Sequence, residues 1–236
     1  MKNKYFMAAE EGEALNITIY GDITSWEWYE SDVSSYTLAK LIQESQAKTI
    51  NVCINSYGGE VAEGLAIYNA LRNHPATVTT RCDGFACSAA SVVFMAGDNR
   101  VMNEASLLMI HNAWTSARGN AEELRKQADD LDTISATVAK AYMTHINIPE
   151  EKLQEMLDAE TWITPKEALE MGFASAIAEE QITRGQQYSA KESIIRQLVE
   201  GKKHGEAKDG KPDPKKPEEH QEPVSGFRKL FDTFNK

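Results

Sequence analysis

The sequence predicts an α/β fold, and three observations carry that expectation. Short runs of β-branched and aliphatic residues alternate with stretches whose apolar side chains recur at helical spacing. Breaks rich in Gly, Pro and Asn separate them at lengths that suit strand–helix–strand connections with right-handed crossovers. The chain's 236 residues, 42% of them hydrophobic, allow a sizeable core in one domain with an appendage, or in two small domains.

In chain order, residues 15–20 (Leu15 to Tyr20) read as a strand, because apolar and polar residues alternate there. Residues 34–45 read as a helix with Leu38, Leu41 and Ile42 on one face. A second strand is expected at 49–54. A helix follows over about 60–73, closed by Asn73-His74-Pro75, since proline cannot continue a helix. Residues 76–82 give a third strand, Ser88 to Ala96 a helix of small residues, and 106–110 an apolar strand. A long helix spans about 120–146 and a shorter one 150–158. Thr164-Pro165-Lys166-Glu167 is a capping box with Pro at the first helical position, and Gly172 ends that helix.

Near Gly201 the composition changes. Residues 201–224 hold four of the seven prolines and only two aliphatic side chains, Ala207 and Val224. Such a segment cannot bury enough apolar surface to offset its ordering entropy, so it reads as a disordered, charge-mixed linker. In 225–236, Phe227, Leu230, Phe231 and Phe234 stand at i, i+3, i+4 and i+7, the stripe of a short amphipathic helix that Ser225 could cap. The expected organisation is a body of 1–200, a linker of 201–224 and a helix in 225–236.

The net charge is −11; residues 201–226 balance to zero and 227–236 carry +2, which leaves −13 on the body. An acidic body repels phosphate backbones, and no basic stripe interleaves with aromatics, so nucleic acid is not an expected partner. No run approaches the eighteen or so apolar residues of a membrane span, and no secretory signal opens the chain. Cys53, Cys82 and Cys87 lack zinc-ligand spacing and read as reduced thiols of a cytoplasmic protein. No metal or cofactor is called for.

Two Gly-containing turns are expected at strand ends, Asn55-Ser56-Tyr57-Gly58-Gly59 and Asp83-Gly84-Phe85-Ala86-Cys87-Ser88. Strand carboxyl ends are where open α/β sheets place ligands, and backbone N–H groups there can hold an oxyanion. Ser88 stands at a helix start. A serine nucleophile needs a base, and among five histidines only His111 directly follows a strand. His74 sits at a helix stop, His145 near the end of the long helix, and His204 and His220 in the linker. A carboxylate should orient the imidazole. Asp158 and Glu160 are the candidates, with Asp83 near the Gly turn, and spacing alone does not choose between the first two.

These residues carry a resemblance. Ile54-Asn55-Ser56-Tyr57-Gly58-Gly59 resembles the oxyanion segment of the Clp-type serine peptidases. Gly84 to Ser88 is similar to their Gly-x-Ala-x-Ser nucleophile motif, Met109-Ile110-His111 to their Met-Ile-His segment, and Glu167 to Gly172 to the helix after their third catalytic residue. The order and spacing of four motifs match over roughly 15–180. Ile19 to Trp26 and Glu160 to Trp162 look more like the phage branch, the head maturation proteases, than the housekeeping subunit.

The resemblance implies Ser88 as nucleophile, His111 as general base, and the N–H groups of Gly59 and Ala89 as oxyanion hole. For the acid, an ungapped count back from Trp162 lands on Met156. A two-residue deletion implies Asp158, with Glu160 as second candidate. Tyr57 replaces the family's usual Pro. The implied fold is a spiral of β-β-α units in which the long helix is a handle between stacked homo-oligomeric rings. The implied partners are a protein or peptide substrate and either an ATPase or a phage head protein; phage enzymes trim scaffold and capsid proteins in the host cytoplasm. Three rival readings remain: an enoyl-CoA hydratase-like enzyme, which needs the oxyanion hole but no Ser-His pair, a non-catalytic scaffold, and a Cys87 thiol mechanism. A housekeeping proteolytic subunit is the alternative within the family.

Overall fold

The computed structural model describes residues 6–25 and 33–178. The linker at 201–224, the stripe of Phe227, Leu230, Phe231 and Phe234, Trp26 and the end of the expected body lie outside the described residues. Within them, α and β elements alternate around a mainly parallel sheet.

The strands β1 (Phe6–Glu11) and β2 (Ala14–Ile19) form an antiparallel pair. A two-stranded parallel sheet follows, of β3 (Ile23–Thr24) and β4 (Val33–Ser34). Then come α1 (Ser35–Glu44), β5 (Thr49–Ser56), α2 (Val61–Asn73) and β6 (Thr77–Cys87). After them lie α3 (Ala89–Phe94), β7 (Asn99–Met102) and β8 (Leu107–Ile110). The rest is α4 (Ala121–Met143), α5 (Glu150–Asp158), β9 (Thr161–Ile163), α6 (Pro165–Met171) and β10 (Ala176–Ile177).

The large sheet has the order β1-β2-β5-β6-β7-β10, with β8 and β9 branching from the far end of β6. Strand alternation sets which face is buried. Leu15, Ile17 and Ile19 pair with Ile50, Val52 and Ile54 across parallel strands, and all six are buried. They pack with Leu38 and Ile42 of α1 and with Ile67 and Leu71 of α2 in one apolar core. Burying each such side chain contributes about 1.5–3 kcal/mol. Thr80 is a buried polar residue on this face, and its hydroxyl donates to Phe94 O at 2.7 Å.

The expected turn at 83–88 is instead strand. β6 runs to Cys87, pairing with β7 up to Cys82 and then with β8 from Phe85 onward. Its register with β5 shifts between Ile54 and Ser56. Asn55 fills the shift: its side-chain oxygen accepts from Phe85 N at 3.1 Å. The same oxygen lies 2.6 Å from where a Cβ on Gly84 would stand. Gly84 thus serves a close approach within a strand and not a turn.

β7 escaped the sequence reading because one of its two inward positions is Arg100, only 6% exposed, beside buried Met102. The guanidinium donates to the carbonyls of Phe173 and Gly97, both at 2.9 Å, so burial leaves its donors paired. β1, β3, β4, β9 and β10 were also unread; β3, β4 and β10 are two residues long and β9 three.

The long helix keeps its expected position, with Asn120 and Glu123 forming a capping box. No side chain between Ala121 and Thr137 is buried; burial begins at Val138. α6 has the expected Thr164–Glu167 box, and Gly172 closes it at φ 84°. Among the described residues no helix is long and apolar enough to cross a membrane.

Candidate active site

Ser88 joins β6 to α3 with φ 54° and ψ −126°, a left-handed conformation unusual for a residue with a side chain. Strain of this kind costs on the order of 1–3 kcal/mol. It is held because Ser88 N donates to Met109 O at 2.9 Å, and Ser88 O accepts from Ser91 N at 2.9 Å. Ala86, Cys87, Ala89 and Ala90 are all buried, so the sharp strand-to-helix corner fits only small neighbours. The Ser88 side chain makes no capping bond to α3. It is displayed instead, the arrangement that strand–serine–helix corners provide.

His111 follows β8, whose Leu108 and Ile110 anchor it in the core. Its Nε2 lies 2.8 Å from Ser88 Oγ. Burial lowers the imidazole pKa from its ordinary value, an effect partly opposed by the charge of Glu160. The base is therefore neutral near pH 7 and able to accept the serine proton. Activity requiring this base is lost as pH falls through the depressed pKa. The kcat/KM profile should rise in one step below pH 6.5 and be flat through neutrality, as a pH–rate titration would show.

Gly59 and Ala89 line the same cavity of about 390 Å³ as Ser88 and His111. Ala89 opens α3, so its N–H has no acceptor within the helix. Gly59 has φ 144°, and a Cβ there would lie 2.0 Å from the Ile23 carbonyl oxygen. The turn is clamped by Ile23 N donating to Gly58 O and Glu60 N to Ile23 O, both at 2.8 Å. Ser56 Oγ also accepts from Gly58 N at 3.0 Å. Gly58 backs onto Ser88, its absent Cβ lying 2.7 Å from that of Ser88. Gly59→Ala should therefore shift the turn and lower kcat on the order of 10²–10³-fold, the usual loss for one oxyanion donor, measurable by peptide hydrolysis.

Neither candidate acid is hydrogen-bonded to His111 among the described residues. Asp158 Oδ1 accepts from Asn112 Nδ2 and from Gln154 Nε2, each at 2.7 Å, and no bond joins it to His111 among the described residues. It closes α5 facing those amides. Met156 is core, 6% exposed, which is why the ungapped count failed to find a polar group. β8 and β9 pair antiparallel, ending with Ile110 opposite Thr161, and His111 and Glu160 are the chain neighbours of that last pair. Glu160 has φ 49° at the corner into β9, and its charge acts on the imidazole. No hydrogen bond joins the two residues among those described. Asp83 is committed elsewhere, bonded to Tyr20 and Arg81 at 2.5 Å each and to Asn103 at 3.2 Å.

Burial pushes the Cys87 thiol up to about 12, against any thiolate nucleophile there. Sequence reasoning missed the cavity's inner wall. Tyr142 of α4 is buried, and its hydroxyl meets Ser91 Oγ at 2.7 Å, while Ser91 Oγ also donates to Ser88 O at 2.6 Å. The apolar recurrence ending α4, Val138 and Tyr142, was the available signal.

The Clp protease family model matches residues 13–181. An ATP-dependent Clp protease proteolytic subunit of Deinococcus radiodurans is 34% identical over 156 residues, covering 64% of this chain and 76% of that protein. A protein of the same description from Oltmannsiellopsis viridis is 31% identical over 137 residues, covering 57% and 70%. The matched span contains every residue of the site and most of the sheet, and the chain belongs to the Clp protease family.

Proposed function

We propose that this chain is a serine endopeptidase that cleaves peptides or unfolded proteins, with Ser88 as nucleophile and His111 as general base. The observation that carries the reading is the 2.8 Å approach of His111 Nε2 to Ser88 Oγ. His111 takes the hydroxyl proton as Oγ attacks the scissile carbonyl carbon. The N–H groups of Gly59 and Ala89 donate to the oxyanion. His111 then protonates the leaving amine, and water, deprotonated by the same imidazole, hydrolyses the acyl-enzyme. Glu160, and not Asp158, orients the base. A serine-directed fluorophosphonate should label the intact protein at Ser88; labelling elsewhere, or none, would overturn the assignment.

The finer reading is a head maturation protease that trims scaffold or capsid proteins. It rests on the likeness of Ile19 to Trp26 and Glu160 to Trp162 to the phage branch. The alternative, the proteolytic subunit of an ATP-dependent machine, is favoured by the descriptions of the two relatives. In either reading the chain assembles as a ring, with α4 as the handle between stacked rings. Its side chains before Val138 are unburied, which suits a helix awaiting another surface. Incubation with phage scaffold protein, compared with incubation of a tagged unfolded substrate plus an ATPase and ATP, separates the two.

A further inference from the structure

We propose that the cleft selects substrates bearing a Lys or Arg side chain beside the scissile bond, and that Glu60 is the specificity-determining residue. The inference rests on the peptidase reading above.

Glu60 directly follows the oxyanion donor Gly59 and lines the cavity that holds Ser88 and His111. Its position is fixed from both ends. The backbone N–H donates to Ile23 O at 2.8 Å, and carboxylate Oε1 accepts from Ser25 Oγ at 3.0 Å and Ser25 N at 3.3 Å. Every one of these carboxylate partners is neutral, so the charge is held in place without being cancelled.

Asp22 lines the same cavity. On its other side the cavity shares Asn112 and Ala113 with a second one of about 430 Å³, lined in part by Asp132 and Asp158. Among the described residues, no Lys or Arg lines either cavity. Among the described residues, none of Asp22, Glu60, Asp132 and Asp158 takes part in an ion pair. The lining also holds an apolar set, Val61, Ala89, Val92 and Val138, together with neutral polar groups such as Thr24 and Asn112.

A substrate bound across Ser88 therefore meets an apolar wall for one side chain and uncancelled carboxylates for its neighbours. A cleft of one sign of charge focuses the field and enriches ligands of the opposite sign. A carboxylate held by neutral donors keeps oxygen lone pairs for a charge-assisted bond to an ammonium or guanidinium. An acidic substrate side chain in the same place is repelled.

The test uses the purified full-length chain and fluorogenic peptides that share one apolar residue at the cleaved position. They differ in carrying Lys, Gln or Glu at a neighbouring position on either side of the bond. A partly exposed ion pair is worth about two- to fivefold in binding, so kcat/KM should favour Lys over Gln by that factor on at least one side. Glu should be disfavoured in the same place. The preference should shrink in high salt, where charges are screened.

Glu60→Gln keeps an oxygen acceptor for Ser25 and removes one charge. In that variant the ratio of Lys to Gln peptides should fall to near one. A wild-type enzyme that cleaves all the peptides equally overturns the inference and leaves the peptidase reading standing. A preference that persists in Glu60→Gln overturns the assignment to Glu60 and assigns it to the acidic body. Absence of both cleavage and fluorophosphonate labelling at Ser88 overturns the peptidase reading, and the inference with it.

Discussion

Ser88→Ala is expected to abolish peptide cleavage and leave the fold intact. The hydroxyl makes no capping bond to α3, and its partner is His111 Nε2 at 2.8 Å. Alanine carries the same Cβ, so the substitution neither relieves nor adds to the strain at φ 54°. The corner stays pinned through backbone atoms, by Met109 O and Ser91 N, which the change does not touch. Loss of a serine nucleophile costs on the order of 10⁶-fold in kcat in the best-measured triad. The expected thermal midpoint lies within a few degrees of wild type, since about 1 kcal/mol shifts a domain of this size by roughly 2–4 °C. Hydrolysis of a fluorogenic peptide and a thermal melt of the same preparation check both halves. Cleavage retained by the variant would remove Ser88 from the role, and buried Cys87, its thiol raised to about 12, offers no replacement.

Glu160→Gln should reduce kcat steeply, and Asp158→Asn only a few-fold. An orienting carboxylate holds the base in the tautomer that presents a lone pair to the serine; its amide replacement in a well-studied triad costs about 10⁴-fold. Glu160 adjoins Thr161, the residue opposite Ile110 at the end of β8, and its charge is felt by His111. Asp158 bonds two side-chain amides, Asn112 and Gln154, and its loss disturbs the segment after the base without reaching the imidazole. Single-turnover rates of the two variants decide between them. The reverse order of effects would return the role to Asp158, and small equal effects would mean that Ser88 and His111 work as a dyad.

The contrast between these residues explains how much of the protein was legible. Strand and helix alternation was readable in β2, β5, α1, α2 and α6, because each carries its period or its caps within a few residues. The elements that were missed are those whose pattern is interrupted or too short. β7 presents a buried Arg100 where a strand face should be apolar, and its donors are paired by the nearby Gly97 carbonyl and by that of Phe173, which no local window contains. The expected turn at Gly84 read as a break because glycine usually marks one. Here the missing Cβ admits the side chain of Asn55 from the neighbouring strand.

By itself the sequence determined the α/β alternation, the small-residue corner at Ser88, the glycines beside it and the placement of His111 at the end of an apolar strand. Each is a local property, written within a single strand–turn–helix unit. Tertiary structure alone decided that β6 continues through its glycine to pair with β8, that Asp158 bonds the amides of Asn112 and Gln154, and that acids but no Lys or Arg among the described residues line the cleft. These depend on strand register and on segments distant in sequence meeting at one cavity. Antiparallel pairing of β8 with β9 ends with Ile110 opposite Thr161, beside His111 and Glu160, whereas Asp158 ends a helix with its carboxylate on the amides of Asn112 and Gln154.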